Sequence, residues 1–196
     1  DKYQGRIDNK QYHLTKNRNK DFFISNKKHA HIKINSINQP LILGSLIPKN
    51  KTLREEFKVS ENLIFSKMEP MHSWFVKIAK KYLNTPYLWG GRTPLGIDCS
   101  GYTQIVYRCF DINLPRDSCQ QFEKGTPVLN LKNSQIGDLA FFGTSKKITH
   151  VGIIIDKNKI IHASGKVRID LLDKEGIFNT QSDSYSHKLQ AIKRVF

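Results

Sequence analysis

The sequence predicts an α+β protein, and three observations carry that reading. The first third holds short alternating apolar patches. Two segments near the middle have helical apolar spacing, and the last third is a succession of β-branched runs separated by turn formers.

Residues 1 to about 66 contain "DFFIS", "AHIKINS", "PLILGSLIP" and "ENLIFSK", broken by Asn, Lys and Ser and punctuated by Pro40, Gly44 and Pro48. Patches of that length read as small strands, and together they are sized for a compact barrel. Glu69 and Pro70 mark a boundary, so a small all-β domain is expected over 1–69 and a second domain over 70–196. The second domain opens with "HSWFVKIAKKYL", where Trp74, Phe75, Ile78, Tyr82 and Leu83 share one helical face and Lys77, Lys80 and Lys81 lie opposite. The loop "NTPYLWGGRTPLGID" follows, rich in Pro and Gly. It leads into a helix from Cys99 on which Tyr102, Ile105, Val106, Cys109 and Phe110 form the apolar face and Asp98 is the N-cap.

Beyond that helix, "INLPRDSCQQF" reads as a turn and a short helix, and "IGDLAFF" as a strand entered from a turn at Gly137 and Asp138. Val151 to Ile155 and Lys159 to Ala163 flank Asp156, Lys157 and Asn158, which predicts an antiparallel hairpin. "KVRIDLL" and "LQAIKRVF" are two further strands. With the turn centred on Lys157 and Asn158, His162 falls opposite about residue 153. Its ring then meets that of His150 only if a bulge or an odd-length loop brings both to one face.

The 196 residues carry 32 Lys and Arg against 17 Asp and Glu, a net charge of +15 shared almost evenly between the two halves. Such charge calls for an anionic surface or reflects a Lys-rich and Asn-rich genome. A nucleic-acid partner is not expected, because neither a basic stripe with stacking aromatics nor a reading motif is found. No run of about 18 apolar residues exists, which excludes a membrane-spanning helix. The chain begins at Asp1, and a targeting segment or a longer parent chain is expected upstream.

Three cysteines make an odd count, so at least one thiol is unpaired within the chain. On one helix Cys99 and Cys109 lie about 15 Å apart, too far for a disulfide. Cys109 reads as a buried small hydrophobe, and Cys119 is undecided. Cys99 differs, because a helix N-terminus favours thiolate over thiol. His150 and His162 are tied to the two strongest strands. His13, His29, His31, His72 and His187 lie in polar surroundings where a solvated surface role is the default. A cysteine nucleophile needs a base, and the base an orienting partner. The rival readings are a hydrogen-bonded core pair of histidines and a metal site of Cys99, His150 and His162.

The blocks "TPYLWGGRTPLGIDCSGYTQIVYRCFDINLPRDSCQQFEKGTPV", "IGDLAFF", "THVGIII" and "IIHASG" resemble the NlpC-type cell-wall cysteine peptidases, from about Met71 to Phe196. The resemblance implies a papain-like domain over 70–196, with Cys99 as nucleophile, His150 as general base and then acid, and His162 orienting His150. It implies that Tyr87 assists the oxyanion, where a buried aromatic is the alternative, and that Trp89 is a wall of the site. It implies hydrolysis of the D-γ-glutamyl to diamino acid bond of peptidoglycan stem peptides or muropeptides, with no metal or organic cofactor. The "RDS" at 116–118 is similar to the γ-D-glutamyl-L-diamino-acid endopeptidases, in which Asp117 and Ser118, with Asp98 and Ser100, would hold the free amino end of the substrate. The alternative for Asp117 is a helix cap. "GSLIP" and the strands around it look like a bacterial SH3-like barrel. A monomer in the cell envelope, periplasmic or secreted, follows as the expectation, with anionic wall polymers as a further partner. A wall-binding module with a vestigial catalytic domain and a papain-like acyltransferase or amidase are the competing functions.

Overall fold

The computed structural model describes residues 22–25, 27–34, 37–51, 55, 64–65 and 72–196. The chain divides into two compact units, 1–67 and 68–196.

In the first unit the apolar patches form β1 (Phe22–Ser25), β2 (His29–Ile34), β3 (Ile37–Ile42), β4 (Leu46–Pro48) and β5 (Ile64–Phe65). β1 runs antiparallel between β4 and β5, and β2 pairs with β3. Leu43 and Ile47 are buried, and Gly44 turns the chain at φ 81 between β3 and β4. Much of the expected all-β domain, including residues 1–21, lies outside the described residues.

The second unit opens with α1 (His72–Ala79), prolonged by a 3₁₀ turn over Lys80–Tyr82. Phe75, Ile78, Ala79 and Tyr82 form its buried stripe at i, i+3, i+4 and i+7. Trp74, expected on that face, sits at its margin and is 38% exposed, with Lys77 Nζ 4.5 Å above its ring. The short pair β6 (Arg92–Thr93) and β7 (Gly96–Ile97) then delivers the chain to α2 (Cys99–Arg108). Phe75 stacks on Phe110 at 4.8 Å and meets Tyr107 edge-on at 5.1 Å, which fastens α1 to α2. Cys109 is buried, as its place in the apolar stripe requires. The third helix, α3 (Ser118–Phe122), is short.

The strands are β8 (Thr126–Val128), β9 (Leu139–Thr144), β10 (Lys147–Asp156), β11 (Lys159–Ser164), β12 (Lys166–Leu172), β13 (Gly176–Asn179) and β14 (Ser184–Arg194). All pairings are antiparallel, in the order β13-β12-β11-β10-β9-β14-β8, and β13 also pairs with β14. That extra pairing closes six strands on themselves and leaves β8 as an appended edge. Ala140, Phe142, Ile154, Ile160, Leu172, Ile177 and Ile192 form one buried cluster of this sheet. Helix α2 lies against β10 and β11, so its first residue is held beside the strands that carry His150 and His162. Among the described residues no helix is long and apolar enough to cross a membrane.

Candidate active site

Asp98 caps α2 as expected: its Oδ1 accepts from the Gly101 N–H at 2.7 Å, and its Oδ2 from the Gly90 N–H at 2.8 Å. One carboxylate therefore fixes both the start of the helix and the loop before it. The approach is tight. A Cβ on Gly101 would stand 2.6 Å from the Gly91 carbonyl oxygen, so only glycine lets the loop close on the first turn.

Cys99 is the first residue of α2 and is 7% exposed. Burial pushes its thiol pKa up and prevails over the N–H groups of Val151, Ser100 and Cys99 itself, which pull it down. The thiolate expected from the helix terminus is thus reversed by desolvation, and the free site rests as thiol. The Val151 N–H that faces the sulfur belongs to the residue after His150, so the thiol lies against β10 at Val151.

His162 stands opposite Gly152, not residue 153. Between the pairs Ile154–Ile160 and Asp156–Lys159, strand β10 has one residue more than β11, and Ile155 is the bulged residue. That single residue changes the parity of everything before it. His150 and His162 now share a face, and His150 Nε2 lies 2.8 Å from His162 Nδ1 as diagonal neighbours across β10 and β11. Burial, with the neighbouring rings of His162 and His187, holds the His150 pKa well below the ordinary imidazole value. Burial thus favours the neutral imidazole of His150.

His187, expected at the surface, is instead stacked on His150, with centroids 4.1 Å apart and planes 25° off parallel. Strand β14 brings it there because β14 pairs with both β9 and β13. Asp170 on β12 accepts from His162 Nε2 at 2.9 Å and is clasped by Arg168. Neither His187 nor Asp170 was marked by the sequence reading. A signal for Asp170 did exist, since a carboxylate in the middle of "KVRIDLL" has to find partners or stay out of a sheet.

Tyr87 donates its backbone N–H to the Gly165 carbonyl at 2.9 Å. Its phenol pKa is raised by partial burial and then by the acidic groups of Cys99 and Asp98. Trp89 lies at the turn before Gly90 and is 84% exposed. Arg116 spans Asp98 and Ser100: its guanidinium donates to Asp98 Oδ2 at 2.5 Å, Asp98 Oδ1 at 3.0 Å and Ser100 Oγ at 2.9 Å. Asp98 and Ser100 are both buried beneath it, so Arg116 belongs to the cluster although only its two successors were singled out. Asp117 is exposed at the N-cap of α3, where its N–H donates to Gln120 Oε1 at 3.2 Å in a capping box, and Ser118 begins that helix. Gln121 ties α3 to α2 through Ser100 O at 3.0 Å, Pro115 O at 2.9 Å and the Thr103 hydroxyl at 2.7 Å. Cys119 is exposed.

Residues 84–185, more than half of the chain, match the model of the NlpC/P60 family, and this span contains Tyr87, Cys99, Arg116, His150, His162 and Asp170. The chain belongs to the NlpC/P60 family. It is 38% identical over 99 residues to a protein of Listeria grayi named "Probable endopeptidase p60", covering 50% of this chain and 19% of that one. It is 35% identical over 91 residues to the gamma-D-glutamyl-L-lysine dipeptidyl-peptidase of Bacillus cereus, covering 45% of this chain and 27% of that one. The chain thus spans between a fifth and about a quarter of the length of these two relatives. The crystal structure of an NlpC/P60 family protein from Bacillus cereus superposes with a TM-score of 0.75 at 23% identity, covering 95% of this chain and 66% of that one. The bulge at Ile155 brings the imidazoles of His150 and His162 to one face, and the cap at Asp98 sets where the helix that begins with Cys99 starts.

Proposed function

We propose that this NlpC/P60 chain is a cysteine endopeptidase that hydrolyses the D-γ-glutamyl to diamino acid bond of peptidoglycan stem peptides. The observations that support the reading are a buried thiol on the first residue of a helix packed against β10 and β11, and the 2.8 Å contact between His150 and His162 on those two strands. The Cys99 thiol gives its proton to His150 as Sγ bonds to the glutamyl carbonyl carbon. The Cys99 N–H and the Tyr87 hydroxyl stabilise the resulting oxyanion. The carbon–nitrogen bond then breaks, and His150 returns its proton to the leaving amine. A water that loses a proton to His150 attacks the thioester, the carbon–sulfur bond breaks, and the thiol is restored.

Substrate contacts are assigned to Asp117, Ser118 and Trp89, which are open to solvent to differing degrees, and to Asp98 and Ser100 acting with Arg116. We read residues 1–69 as an SH3-like barrel that binds wall or shapes the pocket, and 70–196 as the catalytic domain, in the cell envelope; the strands β1–β5 and the net charge of +15 support this.

Incubation with L-Ala-γ-D-Glu-diamino-acid peptides and with sacculi, followed by mass spectrometry, tests the activity against Cys99→Ala. The expected result is scission at the glutamyl bond by the wild type alone; equal product from both proteins would refute it. Retention on sacculi without turnover of any muropeptide would favour the wall-binding reading.

A further inference from the structure

We propose that Asp170 is a positioning residue that sets the tautomers of His162 and His150, leaving the lone pair of His150 on Nδ1 for the Cys99 thiol. The proposal rests on the peptidase reading for its catalytic consequence, but its structural content stands on hydrogen bonding alone.

Three adjacent strands each supply one member of a diagonal ladder. His162 on β11 is opposite Gly152 on β10 and Arg168 on β12, and its partners sit two residues away on either side, at His150 and Asp170. Side chains two apart on a strand share a face, so all three project together. His150 is 5% exposed, His162 1% and Asp170 6%, so each polar atom has to be satisfied from within.

Arg168 decides the charge at the end of the ladder. Its terminal nitrogen donates to Asp170 Oδ1 at 2.8 Å and its Nε lies 2.8 Å from Oδ2, so a permanently charged guanidinium faces both oxygens and favours the carboxylate over the acid. These bonds, with the one from His162, hold the carboxyl below its ordinary pKa against the upward push of burial. An ionised carboxylate accepts and never donates. His162 Nε2, 2.9 Å from Oδ2, therefore carries a hydrogen. In the neutral ring the lone pair then falls on Nδ1, and His150 Nε2, 2.8 Å away, has to donate to it. The remaining nitrogen of His150 is bare. Reversing the tautomer of His162 would reverse that of His150 and place a hydrogen where the base is needed. When His150 takes the thiol proton, the carboxylate also faces the new positive charge through one intervening ring.

The experiment uses the full chain labelled with ¹⁵N, and two-bond proton–nitrogen spectra at pH 8 that distinguish the two neutral tautomers. Wild-type His162 and His150 are both expected as Nε2–H. In Asp170→Asn the single amide oxygen cannot serve Arg168 and His162 as the carboxylate does, so both rings are expected to populate the Nδ1–H form. On the stem peptide kcat should fall about 100-fold or more with KM within about twofold, less than the roughly 10⁴-fold loss when an orienting carboxylate next to the base is changed to an amide. A His150 that is Nδ1–H in the wild type, or an Asn variant with unchanged tautomers and kcat, would overturn the proposal. Should Asp170→Asn fail to fold, the wild-type tautomers decide alone. Should the tautomers be as stated while the wild type cleaves no stem peptide, the ladder stands and the peptidase reading falls.

Discussion

Gly152 stands directly opposite His162, and His150 reaches past it on the same face to bond His162 at 2.8 Å. A Cβ on Gly152 would come within 2.9 Å of the His162 Cβ and 2.6 Å of Ile160 Cδ1. The glycine is the gap through which the two imidazoles meet, and the surrounding strands are too well packed to yield it elsewhere.

Gly152→Ala should therefore cost about 1–3 kcal/mol of stability by overpacking. It should also lower kcat by about tenfold or more, by turning His162 away from His150. Urea unfolding and turnover of the stem peptide check the two effects, and a variant that unfolds normally with full activity would show that the ring geometry tolerates the methyl group.

Arg116→Gln removes the guanidinium that covers a buried carboxylate. The bonds to Asp98 and Ser100 are partly buried, and the loss leaves Asp98 with the backbone donors of Gly90 and Gly101 and the Ser100 hydroxyl at 3.4 Å. About 1–3 kcal/mol of destabilisation is expected at pH 7. Asp98 has a folded pKa held below its ordinary value of 3.8, by its bonds to Arg116, Gly101 and Gly90 against the upward push of burial. Its contribution is therefore present above pH 3.8 and lost as pH falls through the lower folded value. The gap between wild type and Arg116→Gln in urea unfolding should narrow on acidification, and a constant gap would assign the cost to packing.

Two imidazoles, the buried His150 and the half-buried His187, make the domain sensitive to acid. His187 is lowered to about 4, first by burial, and His150 is held well below the ordinary value of 6.5 for the same first reason. A histidine with a depressed folded pKa takes up its proton more readily when unfolded. Its stabilising effect is then complete above 6.5 and erodes as pH falls toward the folded value. The melting temperature should drop as the pH is taken from 6.5 to 4, beyond what Asp98 and Asp170 contribute at lower pH. His187→Phe keeps a ring against His150 without a titrating group, and thermal melts of that variant should show a shallower fall over the same window.

Gln121→Ala should loosen the joint between α2 and α3. The amide satisfies the Ser100 and Pro115 carbonyls and accepts from Thr103, and it is fully buried. Losing these three buried bonds costs about 1–3 kcal/mol, with the Thr103 hydroxyl and the Ser100 carbonyl keeping each other at 2.9 Å. Because Ser100 follows Cys99, hydrogen exchange at the first turn of α2 should speed up, whereas exchange in β10 and β11 should not.

Much of the second unit was legible from spacing. The apolar stripe of α2, its cap at Asp98 and the hairpin around Lys157 and Asn158 follow from local periodicity, which is a property of the chain read in order. Cys99, His150 and His162 stand out by their places on a helix start and two strong strands, whereas Tyr87 and the separate roles come from the resemblance to the family. His187 was not legible, because its strand reaches His150 only when the sheet closes between β13 and β14, and Trp74 was misplaced because a helical stripe has margins that periodicity does not draw.

What the sequence by itself determined is which residues could do the chemistry and which local elements carry them. What only the tertiary structure decided is how they meet. A strand has a side-chain period of two, so one additional residue at Ile155 moves His150 and His162 from opposite faces to the same one. Desolvation, likewise absent from a linear chain, turns the Cys99 thiol and the His150 imidazole toward their neutral forms and buries Asp170 where it has to choose a tautomer for its neighbours.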